Sequence, residues 1–443
     1  DNPETHPFFS VPNTGFVFQG TGNDDDGPIE SFSIGFGINQ LANFNRNIAV
    51  RGFNPFNSYS SYLASFATER AATGEFNLLT DQVANNSGFI YPDLPGALAY
   101  EAFIINDYQV PQGAPPEFYG AFQNGGIDQE FILEERGSMN EASLGFGLNI
   151  NSKVYVGANL SYIWSRYESF QRIGEYDTED NYQVFDANGL PVNQFQFDDY
   201  REITGNGVGF NAGLIAQPTD FFRLGFSIKT PSIMVFNETY DAELFNEGDF
   251  TAAGDSINAV IEPPIVSAVN EFNYSVRLPF ETHIGGLFII KKRGFITFDA
   301  GLTDFRQIRL DDRSRGPNFF SIENDYIQDE YTLGWKTRLG GEVRFNTFYL
   351  RGGVGYYSNY RSQGQRPYYN LADPSSPSET VDESTFTYSG GLGYRKGIFY
   401  IDAAYTLLVR PESRIVYLLD NEAPLTRVTT KQNTIALTAG LRF

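Results

Sequence analysis

The sequence predicts an antiparallel β-barrel that spans a membrane. Three observations carry this expectation. Apolar and polar residues alternate with a period of two, in segments of about ten residues, the length a tilted strand needs to cross a bilayer. Short and long connections alternate strictly along the chain. No run approaches about 18 consecutive apolar residues, so the chain has no helical span.

The alternation places thirteen strands, near 12–20, 28–42, 140–150, 153–167, 203–216, 221–229, 273–290, 295–311, 330–345, 348–361, 384–395, 398–411 and 431–443. Ile435, Leu437, Ala439, Leu441 and Phe443 share one face of the last strand, with Thr434, Thr438, Gly440 and Arg442 on the other. Ala142, Leu144, Phe146, Leu148 and Ile150 oppose Ser143, Gly145, Gly147 and Asn149 in the same way. Trp335, Leu339, Val343 and Phe345 oppose Lys336, Arg338, Glu342 and Arg344. A soluble sandwich also has one apolar face per strand, so alternation alone does not separate the two architectures. Connection length does. Asn151-Ser152, Gln217–Asp220, Lys291–Gly294, Asn346-Thr347 and Lys396-Gly397 are tight turns. Between them lie long connections at 46–139, 168–199, 230–272, 313–329, 362–383 and 412–430. Short turns on one side and long loops on the other are the layout of outer-membrane barrels.

The last strand follows a long loop and therefore ends at the short-turn side. Counting back, the strand at 12–20 runs the same way. Bacterial single-chain barrels have even strand numbers, so a fourteenth strand, preceded by any plug, is expected upstream of Asp1. The opening Asp1-Asn2-Pro3-Glu4 does not read as a signal peptide. The chain is expected to be one barrel domain over 1–443, with the 46–139 insertion holding a helix near 57–68.

Composition narrows the function classes. The 443 residues carry 31 Lys and Arg against 54 Asp and Glu, a formal net charge of −23, which argues against a nucleic-acid partner. There is no Cys, and the two histidines are His6 and His283, so thiolate chemistry and a His-built zinc site are excluded. No G-x-S-x-G or H-E-x-x-H occurs, and His283 lies on a strand beside Glu281 with no particular serine indicated. No enzymatic activity, cofactor or metal is expected. Asp24-Asp25-Asp26-Gly27 opens like a calcium loop but lacks the distal Glu, and reads as a turn. The surplus acid, for example Glu175 to Asp180, is expected on solvated loops, where divalent bridging to lipopolysaccharide is one role open to it.

Aromatics gather at strand ends: Tyr162, Trp164 and Tyr167; Phe221 and Phe222; Tyr356, Tyr357 and Tyr360. Interfacial girdles have this placement, although aromatics also favour strands generally. Phe443, closing an alternating strand, matches the terminal residue that outer-membrane barrels present to their assembly machinery.

Several segments resemble the FadL/TodX family of outer-membrane transporters for hydrophobic compounds, especially its Bacteroidetes-type branch. They are Ser31-Phe32-Ser33-Ile34-Gly35-Phe36-Gly37-Ile38-Asn39, then Leu41-Ala42-Asn43-Phe44-Asn45-Arg46, Tyr400–Tyr405 and Leu437–Phe443. The resemblance implies fourteen strands and a hatch inside the barrel, and neither the hatch nor the first strand matches anything here. It further implies passive uptake of hydrophobic molecules, with long-chain fatty acids the default substrate. The ligand would meet an apolar extracellular groove and leave sideways at a kinked strand. Two other roles stay open: a surface scaffold docking secreted proteins for a secretion system, with a protein partner at the cell surface, and a general porin. The implied location is the outer membrane of a Gram-negative bacterium, among lipid and lipopolysaccharide.

Candidate site residues follow. Phe56, Tyr59, Leu63 and Phe66 share one helical face, which Asn57 or Ser58 would cap; the face is either a groove wall or packing that closes the barrel mouth. Gly35 and Gly37 share the lumen face of the strand where the family is kinked, and mark either a lateral opening or room for a neighbour. Lys336, Arg338, Arg344, Arg351 and Arg223 point to the lumen with Glu342, Asp299 and Asp402, either to receive a carboxylate headgroup or to pair with one another. Lys336 and Arg338 are the mid-strand choices.

Overall fold

The computed structural model describes residues 11–22, 27–72, 94–107, 114–123, 125–179, 182, 192–252, 255–260, 265–266, 269–291, 293–312, 315–316, 318–361, 382–415, 417 and 425–441. Its twenty-one strand segments resolve into thirteen spanning strands, because four short ones stand apart and four spanning strands are each two collinear pieces. The spanning strands are β1 (Asn13–Thr21), β2 (Ile29–Asn43, then Arg46–Asn54), β3 (Ile127–Ile150), β4 (Val154–Tyr176) and β5 (Gln194–Thr219). Next come β6 (Phe222–Lys229, then Ile233–Ala252), β7 (Asn270–Arg277, then Glu281–Ile290) and β8 (Gly294–Asp304, then Arg309–Asp311). The set ends with β9 (Leu333–Phe345), β10 (Phe348–Tyr357), β11 (Thr385–Lys396), β12 (Phe399–Ile415) and β13 (Leu425–Leu441). Among the described residues three α-helices lie in the long connections: α1 (Tyr59–Ala72), α2 (Leu94–Glu101) and α3 (Ser321–Glu330).

Each spanning strand pairs antiparallel with the next, from β1 to β13. The pairings of the described residues include none between β1 and β13. The sheet nevertheless curls back on itself. Arg46 on β2 donates two hydrogen bonds, at 2.8 and 2.7 Å, to the Glu412 carboxylate on β12. Tyr417, just past β12, packs its ring on Tyr59 and Tyr62 of α1.

Hairpin chemistry sets the tight end. Asn151 and Ser152 both take positive φ, 51° and 53°, as a two-residue turn matched to strand twist requires, and Lys291, Asn346 and Gly397 also take positive φ at their turns. Near these turns the outer face is apolar and open: Ile34, Phe146, Leu214, Phe226, Ile296, Leu339, Leu350, Leu392 and Ile401 are exposed. A water-soluble protein does not leave so continuous an apolar belt uncovered, whereas bilayer hydrocarbon covers it. Aromatic pairs flank the belt. Tyr162 stacks on Trp164 and Trp335 packs on Tyr356 toward the long-loop side, while Phe348 meets Tyr394 at the turns. Tyr167 does not join the girdle. It points into the lumen and donates to Glu135 at 2.8 Å.

The strands are longer than alternation suggested. Residues 46–54 and 127–139, expected inside the first loop, are strand, and β4 and β5 likewise run on to Tyr176 and back to Gln194. These extensions carry the barrel wall well past the belt. Their inward faces hold the main apolar core: Ile48, Phe131, Leu133, Ile173, Phe195, Phe197 and Leu244 pack with Leu63, Ala67 and Leu98 of the two helices. The described parts of the 55–126 insertion, α1, α2 and the 104–107 and 114–123 segments, thus sit in the barrel mouth as a plug.

Breaks within strands have local causes. Pro231 and Pro279 lie at the interruptions of β6 and β7, where a residue without an N–H cannot continue the ladder. In β2 the break is at Phe44-Asn45. Opposite it Gly137 takes φ +120°, and a Cβ there would lie 2.1 Å from the Arg166 carbonyl oxygen, so only glycine fits.

Candidate functional site

A partly open pocket of about 440 Å³ lies between α1 and the extended halves of β3 to β6. That volume is in the range of small-molecule sites. Its apolar wall is Tyr59, Tyr62, Leu63 and Phe66 of α1 with Pro95, Leu133, Ile173 and Phe197. Its polar end is Glu135, Tyr167, Gln171, Asp199, Arg201 and Tyr240.

The roof is fixed by a buried carboxylate. Ser58 begins α1, and its hydroxyl accepts from the Ser60 amide at 2.9 Å. Glu175, from the far end of β4, completes the cap. It accepts from the Tyr59 amide at 2.6 Å, the Ser58 hydroxyl at 2.7 Å and the Gln129 side-chain amide at 2.6 Å. A carboxylate at a helix start meets unsatisfied N–H groups and the positive end of the helix dipole. Glu175 was expected on a solvated loop; it is wholly buried because its strand continues into the plug. Burial pushes its carboxyl up to about 7, and these three donors, with the Ser60 amide at 3.4 Å, offset only part of that rise. Beside it, the Tyr417 hydroxyl accepts from Asn54 at 3.1 Å and Gln129 at 2.5 Å and donates to Asn57 at 2.9 Å.

The polar end is an ion network. Arg46 binds Glu135 as well as Glu412. Arg201 lies 3.2 Å from Glu238 and over the Tyr240 ring. Asp199 accepts from Gln171 at 3.1 Å, and burial lifts its carboxyl to about 6. The cavity also borders the break in β2: the Phe44 ring packs edge-on against Tyr167, which lines the cavity.

The residues singled out from sequence fall in three places. Tyr59, Leu63 and Phe66 line the cavity, while Phe56 precedes α1 and is exposed. Lys336 and Arg338 face the lumen nearer the short turns. Lys336 pairs with Glu281, and Arg338 reaches Asp299 at 2.6 Å. Arg351 likewise bridges Glu342 and Asp402, each at 2.6 Å. His283 joins the same network, 2.6 Å from Glu281. Gly35 and Gly37 lie in unbroken ladders, paired with Val17 and Gly15 on one side and Gly145 and Ser143 on the other. The interruption of that strand is at Phe44-Asn45 instead. Asp24–Asp26 and Phe443 lie outside the described residues. Sequence reasoning missed Glu175, Phe197, Asp199, Arg201 and Tyr240. Alternation continuing past the belt with its polarity reversed, as in Phe195, Phe197 and Leu133, marks the apolar members; the charged ones carry no such local signal.

No known family model matches the chain, and no curated protein matches it. Among solved structures it is similar to a Pseudomonas aeruginosa FadL homologue, at 16% identity and a TM-score of 0.44, covering 90% of this chain and 99% of that one. It is also similar to the CymD monoaromatic hydrocarbon channel, at 14% identity and a TM-score of 0.38, covering 88% and 99%. The Pseudomonas putida toluene transporter TodX aligns at 12% identity and a TM-score of 0.39, covering 97% and 87%. The functional reading therefore stands on the site itself.

Proposed function

We propose that this protein is a passive outer-membrane transporter of hydrophobic small molecules. One observation carries the reading: a pocket roofed by apolar side chains of α1 is lined by Tyr167, whose ring packs against Phe44 at the interruption of β2 between Asn43 and Arg46. An apolar solute gains nothing from a wet lumen, and this arrangement gives it a sideways route into lipid. The ligand enters beneath α1, rests against Leu63, Phe66 and Phe197, and leaves past Tyr167 and Phe44. Gly35 and Gly37 keep the lumen side of the same strand open below the exit. Lys336 and Arg338 lie deeper, in ion pairs a headgroup would have to displace. Long-chain fatty acids are the substrates the sequence resemblance implies, and the apolar wall suits their chains. The polar end sets a further condition on the headgroup.

The test is uptake of a labelled alkyl compound into proteoliposomes. Ser169→Phe fills the cavity, and the pair Asn47→Cys with Glu134→Cys staples β2 to β3 next to the break, at directly opposed positions. The native chain has no cysteine to interfere. Uptake is expected to fall with Ser169→Phe, and with the staple only under oxidising conditions. Unchanged uptake in both would remove the proposal. A water-soluble solute passing at equal rate would favour an open porin.

A further inference from the structure

The polar end of the cavity carries more acid than base. Among the lining residues the carboxylates of Glu135 and Asp199 stand against one guanidinium, Arg201; behind them Arg46 pairs with Glu135 and Glu412, and Arg201 lies against Glu238. Asp198 and Asp241 add negative potential at Asp199. Even with Asp199 neutral, carboxylates outnumber guanidiniums. An arriving anion would have to break an existing ion pair and then sit among the displaced acids. Residues with acceptor oxygens, by contrast, line the space: Asp199, Glu135 and Gln171, with one Asp199 oxygen taken by Gln171 and the Glu135 oxygens shared with Arg46 and Tyr167.

We infer that the cavity binds amphiphiles whose polar end donates hydrogen bonds and carries no negative charge, such as alkyl alcohols and alkylamines, in preference to fatty carboxylates. This rests on the transport reading and narrows it. The alkyl chain lies along α1, Leu133, Ile173 and Phe197, and the head donates toward Asp199 and Glu135. Arg201 serves as the internal counterion of Glu238 and not as a headgroup receptor.

The experiment measures retention of radiolabelled decanol, decylamine and decanoate by the protein in nanodiscs, with empty nanodiscs subtracted. Decanol and decylamine are expected to bind at least tenfold more tightly than decanoate. Asp199→Asn, which keeps the contact with Gln171, is expected to narrow the gap by strengthening decanoate. Decanoate binding as tightly as decanol, or a gap unchanged in Asp199→Asn, overturns the headgroup assignment and leaves transport standing. If none of the three exceeds empty nanodiscs, or if Ser169→Phe leaves retention unchanged, the cavity is not a ligand site and both readings fall.

Discussion

The two halves of the barrel obey opposite rules on the same strands. Near the short turns, β3 turns Leu144, Phe146 and Leu148 outward and Ser143, Gly145 and Gly147 inward. Beyond Gly137 the same strand turns Leu133 and Phe131 inward, into a packed core, and Glu134 outward. β5 repeats the switch, with Phe210 and Leu214 outward but Phe195 and Phe197 inward, and Asp198 outward in a bidentate pair with Arg172. In β3 and β5 the alternation of side chains keeps one phase from belt to core while the solvent changes; β2 makes the same exchange with a one-residue register shift at Gln40–Ala42. Lipid surrounds the first half and water the second, so the apolar face moves from the outside to the inside.

That contrast is open to direct attack. The largest expected effect is in the aqueous half. Phe197→Ala removes a ring 2% exposed and is expected to cost about 3–5 kcal/mol by equilibrium unfolding, including the cavity left behind. Phe146→Ala, at a ring 52% exposed on the belt, is expected to cost under about 2 kcal/mol, because no cavity forms. Equal costs would mean that the extended half is not a packed core.

Next in size is the cap. Glu175→Ala strands the Tyr59 amide, the Ser58 hydroxyl and Gln129 at a buried point, and is expected to loosen α1 by about 3 kcal/mol. Hydrogen exchange reads this as faster exchange in α1 with the belt strands unchanged. A smaller, graded effect is expected from pH. The Glu175 carboxyl is raised to about 7 when seated and returns to its ordinary value of 4.5 when the plug is released. Seating is therefore strongest below the lower value and weakens as pH climbs. It levels off above about 7, once both states have lost the proton. Protection factors in α1 that rise with pH across that window would contradict the assignment. The smallest effect is reserved for the lumen of the belt: Arg338→Met, at a half-exposed pair with Asp299, is expected to shift stability by no more than about 1 kcal/mol.

The contrast also explains what was legible beforehand. Alternation against lipid is strong in β9 to β12, where Trp335, Leu339, Val343 and Ile401 repeat without interruption, and those strands lie close to where periodicity puts them. The reading stops at Gly137 and Tyr167 because the polarity inverts there, and an inverted strand reads as a polar loop. The helical face of Tyr59, Leu63 and Phe66 was visible from spacing alone. Its partners were not. Glu175, Asp199 and Arg201 come from strands that meet α1 only through the curl of the sheet, and no local pattern marks an acid as destined for burial. The lumen charges were legible as a group, and the structure gives each of Lys336, Arg338 and Arg351 an acidic neighbour.

The carboxylate that caps α1 also dictates an order of events. Glu175 follows the start of α1 in the chain by more than a hundred residues. While β4 is still unplaced, the start of α1 has no acceptor for its amides. Arg46 waits longer still, since Glu412 arrives with β12. The plug's seating contacts thus draw on strands spread along the chain, β4 for the cap of α1 and β12 for the Arg46 pair.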